Sequence, residues 1–294
     1  MSRFAVAGLQ LALASQDNSA QIEQEVDALL RRFPWVQMVV VGELALFGPS
    51  TEHAVPEGDV LFERLAECAR RNNVWLLPGS FFVRQGRQVF NTAPVFAPSG
   101  EQVASYRKIF PFLPYEKGVT PGAECCVFDV PGVARFGVSI CYDMWFPEVS
   151  RSLACMGAEA ILHPTMTNTI DREVELSLAR ANAVSNQVYF VDVNVAGRLG
   201  NGRSLICGPG GEVVHQCGEV REIMVAELDF DYLRQCRERG WHGLGQVLKS
   251  WRDNDVEFPA YRCPASQHAV LQQLGELVVP ERYTVQAPTT GTKK

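Results

Sequence analysis

The sequence predicts an α/β fold, and three observations carry that prediction. Stretches of small and β-branched residues recur along the chain, stretches with apolar residues at helical spacing separate them, and the two kinds interleave up to about residue 230. With 294 residues, 47% of them hydrophobic, the chain has the material for a sizeable core.

"RFAVAGLQLAL" opens as a strand. "DNSAQIEQEVDALLRRF" follows as a helix with Ile22, Val26, Leu29, Leu30 and Phe33 on one face, capped by Asp17 or Asn18. "VQMVVVGELALFGPS" is a buried strand interrupted at Gly42, and Leu61, Leu65, Cys68 and Ala69 form the stripe of a second helix before the strand "NVWLLPGSFFV". "RQVFNTAPVFAPSGEQVASYRKI" reads as a hairpin turning at Ser99 and Gly100. Then come the strands of "FDVPGVARFGVSI", the helix "FPEVSRSLACMGA", the strand "EAILHPT" and a helix from about Asp171 to Asn186. "QVYFVDVNVAG", a pair of strands around "GPGGEV" and "REIMVAELD" complete the alternation. Residues 1–280 are expected to form a single domain, with a C-terminal extension from about 230 that packs on this subunit or a neighbour. Residues 281–294 are expected to be a mobile tail. The run "GWHGLGQVLKSW" leaves two roles open, a lid or a subunit contact.

Composition excludes several partners. The net charge of −6 comes from scattered acids and bases with no long basic run, which argues against nucleic acid. No apolar stretch approaches a membrane span, and the N-terminus lacks a signal-peptide cleavage region, so the expected location is cytoplasmic with no membrane partner. The nine cysteines are odd in number and mostly in apolar surroundings, the pattern of reduced thiols. The adjacent pair in "ECCV" has the wrong spacing for zinc motifs and is assigned to the core, so no metal is expected.

Chemistry points to "GVSICYDMWFPE", where a run of small and β-branched residues stops at Cys141 before a helix start. Backbone N–H groups and the positive helix end there favour a thiolate and offer an oxyanion donor. Taken alone, such a cysteine is more often an apolar thiol filling a core gap, and position by itself does not overturn that. A thiol nucleophile also needs a base. The five histidines are scattered, and His163 alone reads as a core residue. Glu43 stands after "VVVG" and Lys108 ends "QVASYRK", each an ordinary charged strand end by itself.

Together, "GELALFG", "YRKIFPFLPYEKGVTPG" and "GVSICYDMWFPE" resemble the three active-site segments of the nitrilase superfamily, the carbon-nitrogen hydrolases. The strand "FAVAGLQL", Gly122 in "GVTPG" and the segment "LARANAVSNQVYFVDVN" extend the likeness over roughly residues 4–229. The resemblance implies a four-layer α-β-β-α sandwich with its active site at the sheet ends and no cofactor. It implies Glu43 as general base, Cys141 as nucleophile, and Lys108 with the Tyr142 backbone N–H as oxyanion partners. Glu116, eight positions after Lys108, matches the family's second glutamate, implied to orient Lys108 or the substrate amine. Homo-oligomers, dimers or larger, are also implied.

The pair Tyr142–Asp143 after the cysteine resembles the amidase-type branch, whereas true nitrilases usually carry Trp-Glu there. Met144 and Trp145 occupy positions where ω-amidases and N-carbamoyl hydrolases carry an arginine for a substrate carboxylate. The expected substrate is therefore a small, neutral amide. Trp145 is either a pocket wall or a packing residue, and Pro164, Thr165 and Met166 in "HPTMTN" are expected to touch substrate. The alternatives are a nitrilase, a carbamoyl hydrolase, or a catalytically silent binding protein of this fold.

Overall fold

A computed structural model describes residues 3–280, and the expected tail at 281–294 lies outside the described residues. The N-terminal half supplies strands β1 (Arg3–Gln10), β2 (Ala12–Leu13), β3 (Met38–Val41), β4 (Val55–Pro56), β5 (Trp75–Leu77), β6 (Phe81–Gln85), β7 (Gln88–Phe96) and β8 (Gln102–Arg107). The C-terminal half supplies β9 (Cys126–Val130), β10 (Ala134–Val138), β11 (Ala160–Thr165), β12 (Tyr189–Asn194), β13 (Ala196–Gly197), β14 (Leu205–Cys207), β15 (Val213–Gln216) and β16 (Glu222–Asp229). The helices are α1 (Ser19–Arg32), α2 (Val60–Asn72), α3 (Pro147–Cys155), α4 (Asp171–Asn186), α5 (Phe230–Arg239), α6 (Val247–Arg252) and α7 (Ala269–Gln272).

One sheet runs in the order β16-β1-β3-β5-β7-β6-β4 with β8 on β7, and the other in the order β15-β14-β12-β11-β10-β9. Their period-2 alternation builds the layers. Phe4, Val6, Met38 and Val40 of the first sheet share a core with Phe136, Val138, Leu162, Val191 and Val193 of the second. The opposite face of the first sheet, through Ala7, Leu9, Val39 and Val41, packs on Ile22, Val26 and Leu29 of α1 and Leu61, Leu65 and Cys68 of α2. Ile161 and Phe190 of the second sheet pack on Val149 and Leu153 of α3 and Leu176, Ala179 and Ala183 of α4. This is the expected α-β-β-α sandwich, and its parallel strands β3, β10, β11 and β12 direct their carboxyl ends to the loops that carry polar side chains.

Local differences from the sequence reading have physical causes. Asn18 stands at the N-cap of α1, but its side-chain amide donates to Ala14 and Ala45 carbonyls, while Asp17 accepts from the Ser19 N–H. A 3-10 turn, Cys141–Trp145, separates Cys141 from α3, which begins at Pro147, where the missing N–H costs nothing.

Contacts group residues 3–111 with 118–255 in one compact unit and 112–117 with 256–280 in a second. In the first unit, the glycine- and tryptophan-rich run at 240–251 packs on its own chain. Trp241 Nε1 donates to Tyr232 OH at 3.0 Å, Leu248 N donates to Gln187 at 3.3 Å, and Arg151 stacks over Trp251. In the second unit, Cys263 Sγ lies 3.5 Å from His268 Nε2.

Phe136 is fully buried between the sheets, with its ring 5.6 Å from Phe4, 5.6 Å from Phe128 and 5.7 Å from Phe230. Truncation there leaves a cavity bounded by both sheets. Phe136→Ala is expected to lower unfolding free energy by about 3–5 kcal/mol, measured by urea denaturation.

Candidate active site

Glu43 reaches its place because β3 ends at Val41 and the chain turns through Gly42 against the second sheet. The Glu43 N–H donates to the carbonyl of Thr165, the last residue of β11, at 3.1 Å. The Leu44 N–H donates to Ser80 Oγ at 3.1 Å, and Leu44 itself is left-handed, with φ of 48°. This turn tolerates no extra atom beside it: a Cβ on Gly79, whose φ is +87°, would stand 2.0 Å from the Gly42 carbonyl oxygen.

Lys108 follows β8. Its N–H donates to Asn91 O at 2.9 Å and its carbonyl accepts from Gly122 N at 2.7 Å. Gly122 is required by close approach, since a Cβ there would meet Arg107 O at 2.1 Å. Both charged side chains are buried, Lys108 with 1% and Glu43 with 2% of its surface exposed. Lys108 Nζ and Asn91 Nδ2 each donate to Glu43 Oε1 at 2.8 Å. Asn91, on β7, carried no signal in the sequence because a strand asparagine has no distinctive neighbours.

Cys141 follows β10 through Ser139 and Ile140. It is buried, and its backbone is left-handed with φ of 46°, a conformation that costs a non-glycine residue about 1–3 kcal/mol and must be held by its surroundings. Asp143 supplies that hold. Its Oδ2 accepts from Ile140 N at 2.9 Å and from Tyr106 OH at 2.7 Å, and its Oδ1 accepts from Phe110 N at 2.9 Å. One carboxyl group therefore ties the cysteine turn to the strand and loop on either side of Lys108. Asn182 of α4 anchors the same turn by donating to Met144 O at 2.9 Å.

Burial pushes the Cys141 thiol well above the ordinary cysteine range, and Glu43 and Glu175 push it further, while Lys108 opposes them. Desolvation thus works against the thiolate that the helix end and the lysine favour, and pushes the group toward its protonated form. Cys141 Sγ lies 3.8 Å from Thr167 Oγ1, whose own proton goes to Glu175 Oε1 at 2.9 Å. Behind it, buried Arg172 bonds Glu175 Oε2 at 3.2 Å and Asp192 Oδ2 at 2.6 Å. Thr167 and Glu175 were missed in the sequence because they lie 26 and 34 residues beyond the cysteine, a distance that only the β10–β11–α4 path closes.

The other expected residues sit as follows. Thr165 commits its hydroxyl to Asp192 Oδ1 at 2.8 Å and its carbonyl to Glu43. Pro164 is buried within β11, and Met166 packs against Leu44, Phe82, Val89 and Val119. Tyr142 meets the Phe146 ring edge-on at 5.2 Å, and Trp145 packs on the α3–α4 core. Glu116 lies in the second unit, where its carboxylate accepts from the Phe112 N–H. His163 is buried with Nδ1 2.7 Å from Ser139 Oγ, as the core reading expects.

Residues 3–238 match the sequence profile of the family described as carbon-nitrogen hydrolase. The chain belongs to that family. It is 30% identical over 192 residues to omega-amidase NIT2 of Xenopus tropicalis, covering 60% of this chain and 69% of that one. Among solved structures, Nit3 of Saccharomyces cerevisiae, a member of branch 10 of the nitrilase superfamily, superposes with a TM-score of 0.75 at 28% identity, over 81% of this chain and 94% of its own. A mutant amidase of Nesterenkonia sp. AN1 in complex with butyramide superposes with a TM-score of 0.71 at 28% identity, over 84% and 97%. Another mutant of that amidase carries the acetamide moiety of fluoroacetamide covalently added at its active site cysteine. This protein is accordingly a carbon-nitrogen hydrolase of the amidase type. No helix among its described residues is long and apolar enough to cross a membrane, and all nine cysteines are free.

The site makes acid stability a balance of two buried groups. Burial raises the Asp143 carboxyl to about 6 and lowers the His163 imidazole to about 4. As pH falls from about 6 to 4, folded Asp143 takes a proton before the unfolded chain does, adding about 3 kcal/mol of stability. Over the same range the unfolded chain protonates its histidine first, removing about 3 kcal/mol. The two oppose each other, so Asp143→Asn is expected to steepen the loss of stability between pH 6 and 4 by about 3 kcal/mol in urea denaturation. An unchanged slope would remove Asp143 from this balance.

Proposed function

We propose that the protein is a thiol amidohydrolase that converts a small neutral amide to a carboxylic acid and ammonia through a thioester on Cys141. The observation that carries this reading is the buried Glu43 carboxylate, bonded to Lys108 and Asn91, whose charge acts on a buried Cys141 thiol that desolvation pushes toward its protonated form. A neutral thiol needs a base at the moment of attack, and Glu43 takes that proton as sulfur bonds to the amide carbon. The oxyanion is met by the Lys108 ammonium and the Tyr142 backbone N–H. Glu43 returns the proton to the departing nitrogen as the C–N bond breaks and ammonia leaves; it then takes a proton from the water that attacks the thioester, and as the C–S bond breaks and the acid is released it gives that proton back to the Cys141 sulfur. Glu116 orients Lys108 or the amine in this reading.

The neutral acyl group rests on Met144 and Trp145, since neither offers a charged partner to a substrate carboxylate. The butyramide complex of the Nesterenkonia amidase supports it. The omega-amidase relatives favour a second reading, an acidic ω-amide. Homo-oligomeric assembly belongs to the same proposal, supported by the exposed apolar side chains Phe258, Tyr261, Leu274 and Leu277 near the C-terminal end of the described residues.

A coupled ammonia assay over neutral amides, acidic ω-amides, carbamoyl acids and nitriles is expected to give turnover with neutral amides, an acyl adduct on Cys141 by mass spectrometry, and no turnover by Cys141→Ala with its fold intact. Turnover confined to acidic amides would select the second reading, and activity in Cys141→Ala would end both. Glu116→Gln is expected to lower kcat about 100-fold while iodoacetamide alkylates Cys141 at the wild-type rate. An unaltered kcat would strip Glu116 of its orienting part.

A further inference from the structure

Away from the candidate active site, the chain leaves the edge strand of one sheet and enters the edge strand of the other between β15 and β16. His215 stands on β15 opposite Ile206 of β14, and Glu222 opens β16 opposite Gln10 of β1. Cys217 lies between them. One nitrogen of His215, the sulfur of Cys217 and one oxygen of Glu222 all lie within 4.8 Å of one another. Among the described residues this is where three side chains of metal-ligating type converge. His215 Nε2 is 3.0 Å from Glu222 Oε1, and the Cys217 thiol donates to the same carboxylate.

We propose that His215, Cys217 and Glu222 bind one zinc-type divalent cation, which clips the crossover between the two sheets. A tetrahedral zinc ion bonded to sulfur, nitrogen and oxygen holds those atoms about 3.5 Å apart, so small side-chain rotations close the group around an ion. The mixed thiolate, imidazole and carboxylate donors select zinc or cobalt over calcium or magnesium. On binding, the thiol and the liganding imidazole nitrogen bond the ion as deprotonated donors, and the thiol proton leaves to solvent. His215 and Glu222 are about one-third exposed, which leaves the fourth position to water.

The surrounding backbone holds the ligands for such an ion. The Gly218 N–H fixes the second carboxylate oxygen of Glu222 at 2.9 Å. The Cys217 N–H donates to Ser204 O at 2.9 Å, and the Gly218 carbonyl accepts from Arg203 N and from Nε2 of the fully buried Gln10, both at 2.8 Å. Carboxylate orientation by a neighbouring donor is the outer-shell support that metal sites use. None of these residues enters the proposed amide chemistry, so the clip acts on stability and not on the reaction.

The test uses the full chain, metal-free and reduced, in a Cys141→Ser background so that the active-site thiol is not counted. Cobalt(II) titration is expected to give a thiolate-to-cobalt charge-transfer band that saturates at one equivalent and is bleached by zinc. The band should vanish in Cys217→Ser, and affinity should fall at least about tenfold in His215→Ala and in Glu222→Gln. Zinc at about 100 times Kd should raise Tm by about 5 °C in the parent and leave His215→Ala unmoved. No band in the parent, or a band and Tm shift that survive in His215→Ala, would overturn the site. His215 is partly exposed, so that variant reports even where Cys217→Ser fails to fold.

Discussion

The buried pair of Lys108 and Glu43 is the constraint on which the rest of the site depends. Burying either charge alone costs several kcal/mol, and even a pair recovers that only when its geometry is good and further donors complete it. Here the carboxylate receives an ammonium and an amide on one oxygen, 2.8 Å from each. Three separate strands must meet at one point for this to happen: β3 ends just before Glu43, β8 ends just before Lys108, and Asn91 faces them from within β7. The tight passages at Gly79 and Gly122 follow from it, because the backbone around both charged residues approaches its neighbours more closely than a side chain permits.

The second sheet brings the sulfur. A left-handed cysteine in a five-residue 3-10 turn is not stable by itself, and Asp143 holds it by satisfying donors from three segments at once. That carboxyl group is itself under strain from burial, which raises it to about 6, and the opposed titration of His163 nearby offsets the consequence in acid. Thr167 completes the setting: with its proton given to Glu175, it presents a lone pair toward the sulfur. These surroundings favour the protonated thiol, so the proposed chemistry gives the proton of the attacking sulfur to a base.

The sandwich architecture explains why both halves of the site are rigid. Phe4, Phe128, Phe136 and Phe230 lock the two sheets face to face, and the Glu43 N–H bond to Thr165 joins their carboxyl ends at the site itself. Family membership agrees with this arrangement, and the relatives' amidase activities agree with the reaction class. The proposed preference for a neutral amide rests on fewer atoms, chiefly the side chains at 144 and 145.

Much was determined by the sequence itself. The helical stripes of α1 and α2, the alternation of β1 and the continuous apolar run of β3 are local patterns, so they were legible residue by residue. Glu43, Lys108 and Cys141 could be singled out as candidates because each stands beside an apolar run in a recognisable segment. Asn91, Asp143, Thr167 and Glu175 gained their parts only in the tertiary structure, since each acts across elements far apart in the chain and a lone polar residue announces no partner. The charge state of Cys141 was decided there too: sequence suggests the turn and the lysine, but only packing sets the burial that outweighs them.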